Sequence, residues 1–309
     1  MKVVYNLESF VWTKFKGDQI TRRVILTLCP LFPAGNALIE LPYIAYYKTK
    51  AIQETDSDLI SEIEKFAIDK NIQFIEFRSH ELPKLEHLSY VNKTFHHFIL
   101  NLEGGLDNIW KKSFDTKLRN QIRKSEKSNL EFKVGKNELL NDFYNLYERT
   151  MKRLGSPAHP RRFFQKISSD PNGKFYFLIV YFEKRPVAGL YLCHDLSTMF
   201  NPWACSDENY KKFCVNNFAY FQAIQLAINL NLSFFDFGRS AVGTPHEKFK
   251  LQWGVEKKLI NYSFLGVSKT KNFEIKIDSP LIVLLRNIWI KFPFFATRLL
   301  NSFFSKRVA

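Results

Sequence analysis

The chain has 309 residues, 46% of them hydrophobic, which is enough apolar material for the cores of two domains and excludes disordered and fibrous architectures. Forty-five Lys and Arg against 30 Asp and Glu leave a formal charge of +15, which favours anionic partners such as RNA, phosphate-bearing metabolites or an acidic membrane face. Cys29, Cys193, Cys205 and Cys214 form no CxxC pair, which argues against a disulfide framework or a zinc ribbon and fits a reducing cytoplasm.

Residues 1–17 interrupt their apolar side chains with Glu8, Lys14 and Lys16, which a secretory apolar core would not tolerate, so a cytoplasmic protein is expected. Residues 23–31 and 37–44 are short apolar runs bounded by Pro and Gly and read as strands. Leu59, Ile60, Ile63, Phe66 and Ala67 have helical spacing over about 56–70, with Asp56 or Ser57 as a cap, and 74–78 reads as the next strand. A strand at 95–102 closes this block. From Leu106 the pattern turns helical, with Trp110, Phe114, Leu118 and Ile122 at successive i+4 steps on one drifting stripe.

Beyond that helix the elements follow as strand 130–135, helix 137–154, short helix 160–168, strands 174–183, 185–195 and 198–206, and a long helix 212–229. A buried strand LSFFDFG, a short helix TPHEKFKLQW and a final strand KLINYSFL complete the series. The turn Glu183-Lys184-Arg185-Pro186 makes a hairpin of the middle pair. This mixed order of strands and helices is the pattern of the acyltransferase fold called GNAT. The expected architecture is α+β (mixed α/β), with two tandem GNAT-like domains, the first abridged, and a C-terminal helical tail. The expected boundaries are 1–105 for the abridged domain, 106–129 for a basic linker helix, 130–265 for the second domain and 266–309 for the tail.

The segment FDFGRSAVGTPHEKFKLQWGVEKKLINY (235–262), with KLRNQIRKSEKSNLEF (117–132) and MKRLGSP (151–157), resembles the Fem-type transferases. Among them it is most similar to the FemAB-related branch associated with exopolysaccharide and exosortase loci. The resemblance implies a transferase that moves an amino acid from aminoacyl-tRNA to the amine of a peptidoglycan precursor. Two departures bear on the first domain. The chain begins later than the family's first strand and helices, and the family's Tyr-Gly-Gly turn stands here as Tyr46-Tyr47-Lys48, which lacks the conformational freedom of glycine.

At 100° per residue, Lys112, Arg119, Arg123 and Lys127 fall within an arc of about 80°, on the side away from Trp110 and Leu118. This is either a phosphate-binding stripe suited to an RNA backbone or a diphosphate-linked carrier, or an ordinary solvated face. Asp236, Gly238 and Arg239 follow the buried strand, where a sheet crevice opens. Asp236 serves as base or orienting group for an incoming amine there, with Gly238 allowing close backbone approach and Arg239 a fixed cation, or else Asp236 and Arg239 are a buried pair. The resemblance places Lys250, in FKLQWG, beside the reacting carbonyl, where it would stabilise an oxyanion. Trp253 either stacks on the adenine end of tRNA or walls the core.

No histidine spacing suggests a metal, since His96 and His97 point to opposite faces of a strand, and Ser240 lacks a nucleophile elbow, so neither metal nor covalent catalysis is expected. Residues 205–217 contain no Gly, which argues against a phosphate cradle for acetyl-CoA and against a bound cofactor. The sequence leads to an N-acyltransferase forming an amide; the resemblance implies aminoacyl-tRNA as donor, and the expected acceptor is a cell-wall or exopolysaccharide precursor, a phosphate-bearing or lipid-linked sugar. The alternatives are an amino-sugar N-acyltransferase using another carrier, or a non-catalytic module that binds a glycan or lipid-linked precursor. Residues 281–309 are apolar but broken by Arg286, Lys291, Pro293 and Arg298. They form either a peripheral contact with an anionic membrane or a helical hairpin that buries Leu281, Leu284, Leu285 and Ile288 on the first domain.

Overall fold

The computed structural model describes residues 5–31, 35–40, 42, 53–82, 90–169, 174–267 and 280–305. The chain forms two compact units, one of residues 1–95, 259–285 and 302–309, the other of residues 96–258 and 286–301. The expected linker segment 106–129 is thus part of the second unit rather than a connector, and the final strand passes largely to the first. Tyr46, Tyr47 and Lys48 lie outside the described residues.

In the first unit, β1 (Ser9–Lys16), β2 (Gln19–Leu31) and β3 (Gly35–Glu40) pair antiparallel in sequence. Helix α1 (Ser57–Asp69) carries the chain to β4 (Phe74–Ser79), which runs parallel to β3 and antiparallel to β11 (Glu256–Gly266). The helical stripe anticipated from sequence is the one that packs: Leu59, Ile60, Ile63 and Ala67 bury against Val24, Leu26, Leu38 and Ile75. Strand β1 is absent from the sequence reading, and alternation locates it. Phe10 and Trp12 pack on Phe66 at 4.6 and 5.3 Å, while Val11 between them faces solvent.

The second unit begins within β5 (Tyr90–Asn101) and continues through α2 (Gly105–Lys112) and α3 (Thr116–Glu126). Sequence reading merges these two into one helix. Asp115 ends that continuity, because its carboxylate caps α3 by accepting the Leu118 N–H at 2.6 Å. An antiparallel meander follows: β6 (Leu130–Gly135), β7 (Phe175–Phe182), β8 (Arg185–His194) and β9 (Thr198–Ser206), with α4 (Leu140–Arg153) and α5 (Arg161–Ile167) between β6 and β7. The expected hairpin turn sits at Glu183 and Lys184, both at positive φ, as a two-residue loop matching strand twist requires. Helix α6 (Val215–Asn229) then leads to β10 (Phe234–Ser240), which lies between β9, parallel, and β5, antiparallel.

Period-2 alternation separates the two faces of this sheet. On β8, Leu190 and Leu192 join a core with Ile109, Leu118, Ile122, Phe218 and Ala223 from α2, α3 and α6. Tyr191, between them, packs with Phe143 of α4 and Phe164 of α5. A short helix α7 (Pro245–Leu251) connects β10 to β11, and the chain ends in α8 (Pro280–Lys291) and α9 (Phe294–Phe304).

Candidate functional site

Strand β10 pairs with β5 at Asp236 opposite Ile99, and the pairing resumes at Arg239 opposite His97. One extra residue is therefore accommodated at Phe237-Gly238, a β-bulge in which Gly238 takes φ +71°, a conformation that disfavours a Cβ. The neighbouring parallel strand β9 pairs with β10 only from Phe234 to Asp236, so the backbone of β10 leaves both regular ladders at this point. The aromatic strand FFDFG thus delivers its single carboxylate to an irregular turn.

Asp236 is 4% exposed and its carboxylate is fully committed. Oδ1 accepts the Gly238 N–H at 2.6 Å, closing the bulge, and Oδ1 and Oδ2 accept from His97 Nε2 at 2.8 and 2.9 Å. The Asp236–Arg239 pair envisaged from sequence does not form: the buried partner is His97, and Arg239 lies exposed beyond the bulge. His97 escaped sequence reasoning because it lies 139 residues from Asp236 and because the bulge shifts the register that unites them.

Lys250 reaches the other side of the same bulge. Its Nζ donates to the carbonyls of Gly238 at 3.2 Å and Arg239 at 2.9 Å, and sits 5.4 Å from the centre of the Phe98 ring on β5. Burial pushes its ammonium from the ordinary lysine range down to about 8; the Asp236 charge opposes this fall and the Arg239 charge adds to it. Two of its three N–H donors are spent on carbonyls, and among the described residues no other acceptor takes the third.

Helix α7 aims this lysine, and its sequence explains how. Thr244 caps it by accepting the Glu247 N–H at 3.3 Å, Pro245 occupies its first turn, and Glu247 accepts the Gly243 N–H at 2.5 Å. Glu247 also pairs with His96 Nδ1, tying α7 to β5. The Gly243 N–H, then the His96 bond, hold the Glu247 carboxyl below the usual range. His96 and His97 do point to opposite faces, each to its own carboxylate. The Gly after Trp253 has its own reason: at φ +69°, a Cβ on Gly254 would lie 2.3 Å from the Ser113 carbonyl oxygen.

The remaining sequence candidates fall elsewhere. Trp253 is completely buried, edge-on to Phe114 at 5.2 Å and against Phe237 at 5.6 Å, so it walls the core and presents no platform to a nucleotide. Arg119 donates to the carbonyls of Trp110 and Phe114 at 3.2 and 3.0 Å, closing the end of α2. Arg123 lies over the Trp110 ring at 5.5 Å, the residue that a continuous helix would put on the opposite side. The break at Asp115 redirects the stripe. Neither arginine bonds to the groups around Gly238, and no cluster of three or more metal-ligating side chains exists among the described residues.

Residues 112–251 match the family model of the acetyltransferase (GNAT) domain, a span that covers the bulge, α7 and Lys250. A comparison with curated proteins finds no match. In fold, the chain is similar to the crystal structure of FemX, with a TM-score of 0.58 at 11% identity over 84% of this chain and 89% of that one. It is also similar to the C-terminal domain of a lysylphosphatidylglycerol synthetase from Agrobacterium fabrum (TM-score 0.52, 10% identity, 91% of this chain and 88% of that one). A tandem GNAT protein from the clavulanic acid pathway aligns at TM-score 0.52 and 8% identity, over 86% and 85% of the two chains.

Proposed function

We propose that this chain, an acyltransferase of the GNAT type, forms an amide by passing an aminoacyl group from tRNA to the amine of a cell-wall or exopolysaccharide precursor. The observation that carries this reading is the desolvated ammonium of Lys250 at the Gly238 bulge, with two of its three N–H donors on backbone carbonyls. In such a transfer the amine attacks the ester carbonyl, the new C–N bond forms and the carbonyl oxygen becomes an oxyanion. Collapse breaks the ester C–O bond, and the proton that the amine gives up passes to the departing oxygen, so the carrier leaves as its hydroxyl.

The third N–H of Lys250 is the donor for that oxyanion, in a site too dry for water to weaken it. Asp236 and His97 do not reach the substrate in this scheme. They are positioning residues that hold the bulge, and through it the two carbonyls that orient Lys250. Positioning and oxyanion stabilisation supply the catalysis, without a covalent intermediate.

The approach to α6 supports a carrier other than coenzyme A. Where a glycine loop would wrap a pyrophosphate, Cys214 itself takes φ +57°, and Phe213 just before it stacks on Phe182 at 4.8 Å. The overall charge of +15 suits a polyanionic carrier. The test is a transfer assay with aminoacyl-tRNA and an amine-bearing sugar precursor. Lys250→Ala is expected to lower the rate about 10²–10³-fold with the fold intact. A rate within about threefold of the parent would remove Lys250 from the mechanism, and transfer from acyl-CoA alone would overturn the donor.

A further inference from the structure

We propose that the C-terminal helices α8 and α9 dock this protein on an anionic phospholipid surface. The inference is independent of the reading of the acyl-transfer site. A soluble helix ordinarily buries its apolar stripe and shows its polar one. Helix α9 does the reverse, and α8 leaves its described apolar side chains largely in solvent.

Thr297 and Asn301 are buried, and Asn301 accepts the Ala158 N–H at 3.0 Å while donating to Glu148 at 3.2 Å. Glu148, itself buried, also pairs with Arg298 at 3.5 Å. Arg286 donates to the Leu154 carbonyl at 3.0 Å, and Lys152 to the Ile290 carbonyl at 2.8 Å. Gly155 has no side chain because a Cβ there would lie 2.3 Å from Arg286 Cγ. The segment 286–301 is thus fastened to its unit by polar groups at specific positions, which fixes the direction its apolar side chains face.

Those side chains face outward. Phe295 is 70% exposed and Leu299 77%, and Leu284, Ile288, Ile290 and Phe294 are exposed with them. Of the four side chains expected to pack onto the first domain, Leu284, Leu285 and Ile288 are exposed, which overturns that reading for them, and the side chain of Leu281 lies outside the described residues. No described helix is long and apolar enough to cross a membrane, and α8, 12 residues or about 18 Å long, reaches little more than halfway through a hydrocarbon core.

Charge decides which surface covers the patch. The described residues 280–305 carry Arg286, Lys291 and Arg298 and no Asp or Glu. A second copy meeting the same patch by two-fold symmetry would set these cations against each other, and Glu148, which pairs with Arg298, is buried and offers no exposed acid to a partner. Anionic headgroups accept both the phenylalanines and the cations.

The experiment is sedimentation of the full chain with vesicles of phosphatidylcholine and phosphatidylglycerol in equal parts, against vesicles of phosphatidylcholine alone. The parent is expected to bind the anionic vesicles, more weakly as salt rises, and Phe295→Glu with Leu299→Glu to weaken binding about tenfold or more. Both side chains are largely in solvent, so an unchanged circular-dichroism melt is expected and shows that the variant is folded. Failure of the parent to bind anionic vesicles would overturn the proposal, as would equal binding by the folded double variant. A parent dimer that the variant dissociates would assign the patch to a second copy instead.

Discussion

Arg78 in the first unit and Lys250 in the second are both buried cations at the heart of a polar cluster, and their surroundings send them opposite ways. Arg78 donates through Nε to Glu76 at 2.6 Å, its backbone N–H is taken by Glu40 at 2.9 Å, and its guanidinium lies 4.5 Å from the centre of the Tyr262 ring. Burial pulls against its charge, but Glu76, with Tyr262 and Glu40, more than reverses that pull and holds Arg78 above its ordinary value. Lys250 meets two carbonyl dipoles in place of a bonded carboxylate, so burial wins and its ammonium falls to about 8. A buried cation bonded to an acid is a fixed structural charge, whereas one held by dipoles can gain or lose its proton near neutral pH.

The contrast breaks first at Arg78. Truncation in Arg78→Ala leaves Glu76 buried without its partner, and a loss of about 3–5 kcal/mol in unfolding free energy is expected from denaturant titration. A loss below about 1 kcal/mol would show that the cluster is hydrated rather than paired.

At Lys250 the same reasoning gives a pH-dependent effect of opposite sense. Its folded pKa of about 8 lies below the unfolded value near 10.5, so at neutral pH both states carry the proton and folding bears the whole cost of burying it. Between about pH 8 and 10 the native state releases its proton first, which raises stability as pH rises; the full swing is about 3 kcal/mol. Lys250→Met lacks this gain. Its stability relative to the parent should therefore fall as pH rises through this window, and a constant difference from pH 7 to 10 would mean that Lys250 titrates normally.

The smallest effect belongs to the bulge. Gly238→Ala meets no atom within 4 Å of its new Cβ, so its cost is the strain of φ +71°, about 1–2 kcal/mol. If it also slows transfer while Lys250 remains protonated, the carbonyls of the bulge orient the lysine. A variant as fast and as stable as the parent would separate the bulge from the site.

What could be read from sequence followed from local pattern. The order of elements in the second unit, the stripe of α1 and Asp236 as a candidate rest on residues close together in the chain, and Lys250 became a candidate through the Fem-type resemblance of FKLQWG. Strand β1 was missed because Lys14, Phe15 and Lys16 blur an alternation that Phe10 and Trp12 begin. The partners of the site were hidden for a different reason. His97 meets Asp236 only through a cross-strand register with a bulge in it, and Arg119 turns from a phosphate ligand into a helix terminator because Asp115 breaks the helix between them. The outward face of α9 follows from the anchoring of Asn301 by Glu148, 153 residues away, which no window of sequence contains.

The central claim is that the bulge holds a lysine whose charge is poised for use, and a direct titration of Lys250 tests it. In the full chain, the Nζ and Cε resonances of Lys250, assigned by their absence in Lys250→Met, should titrate with a midpoint near 8, well below the ordinary lysine value of 10.5. A Lys250 midpoint at that ordinary value would contradict the account.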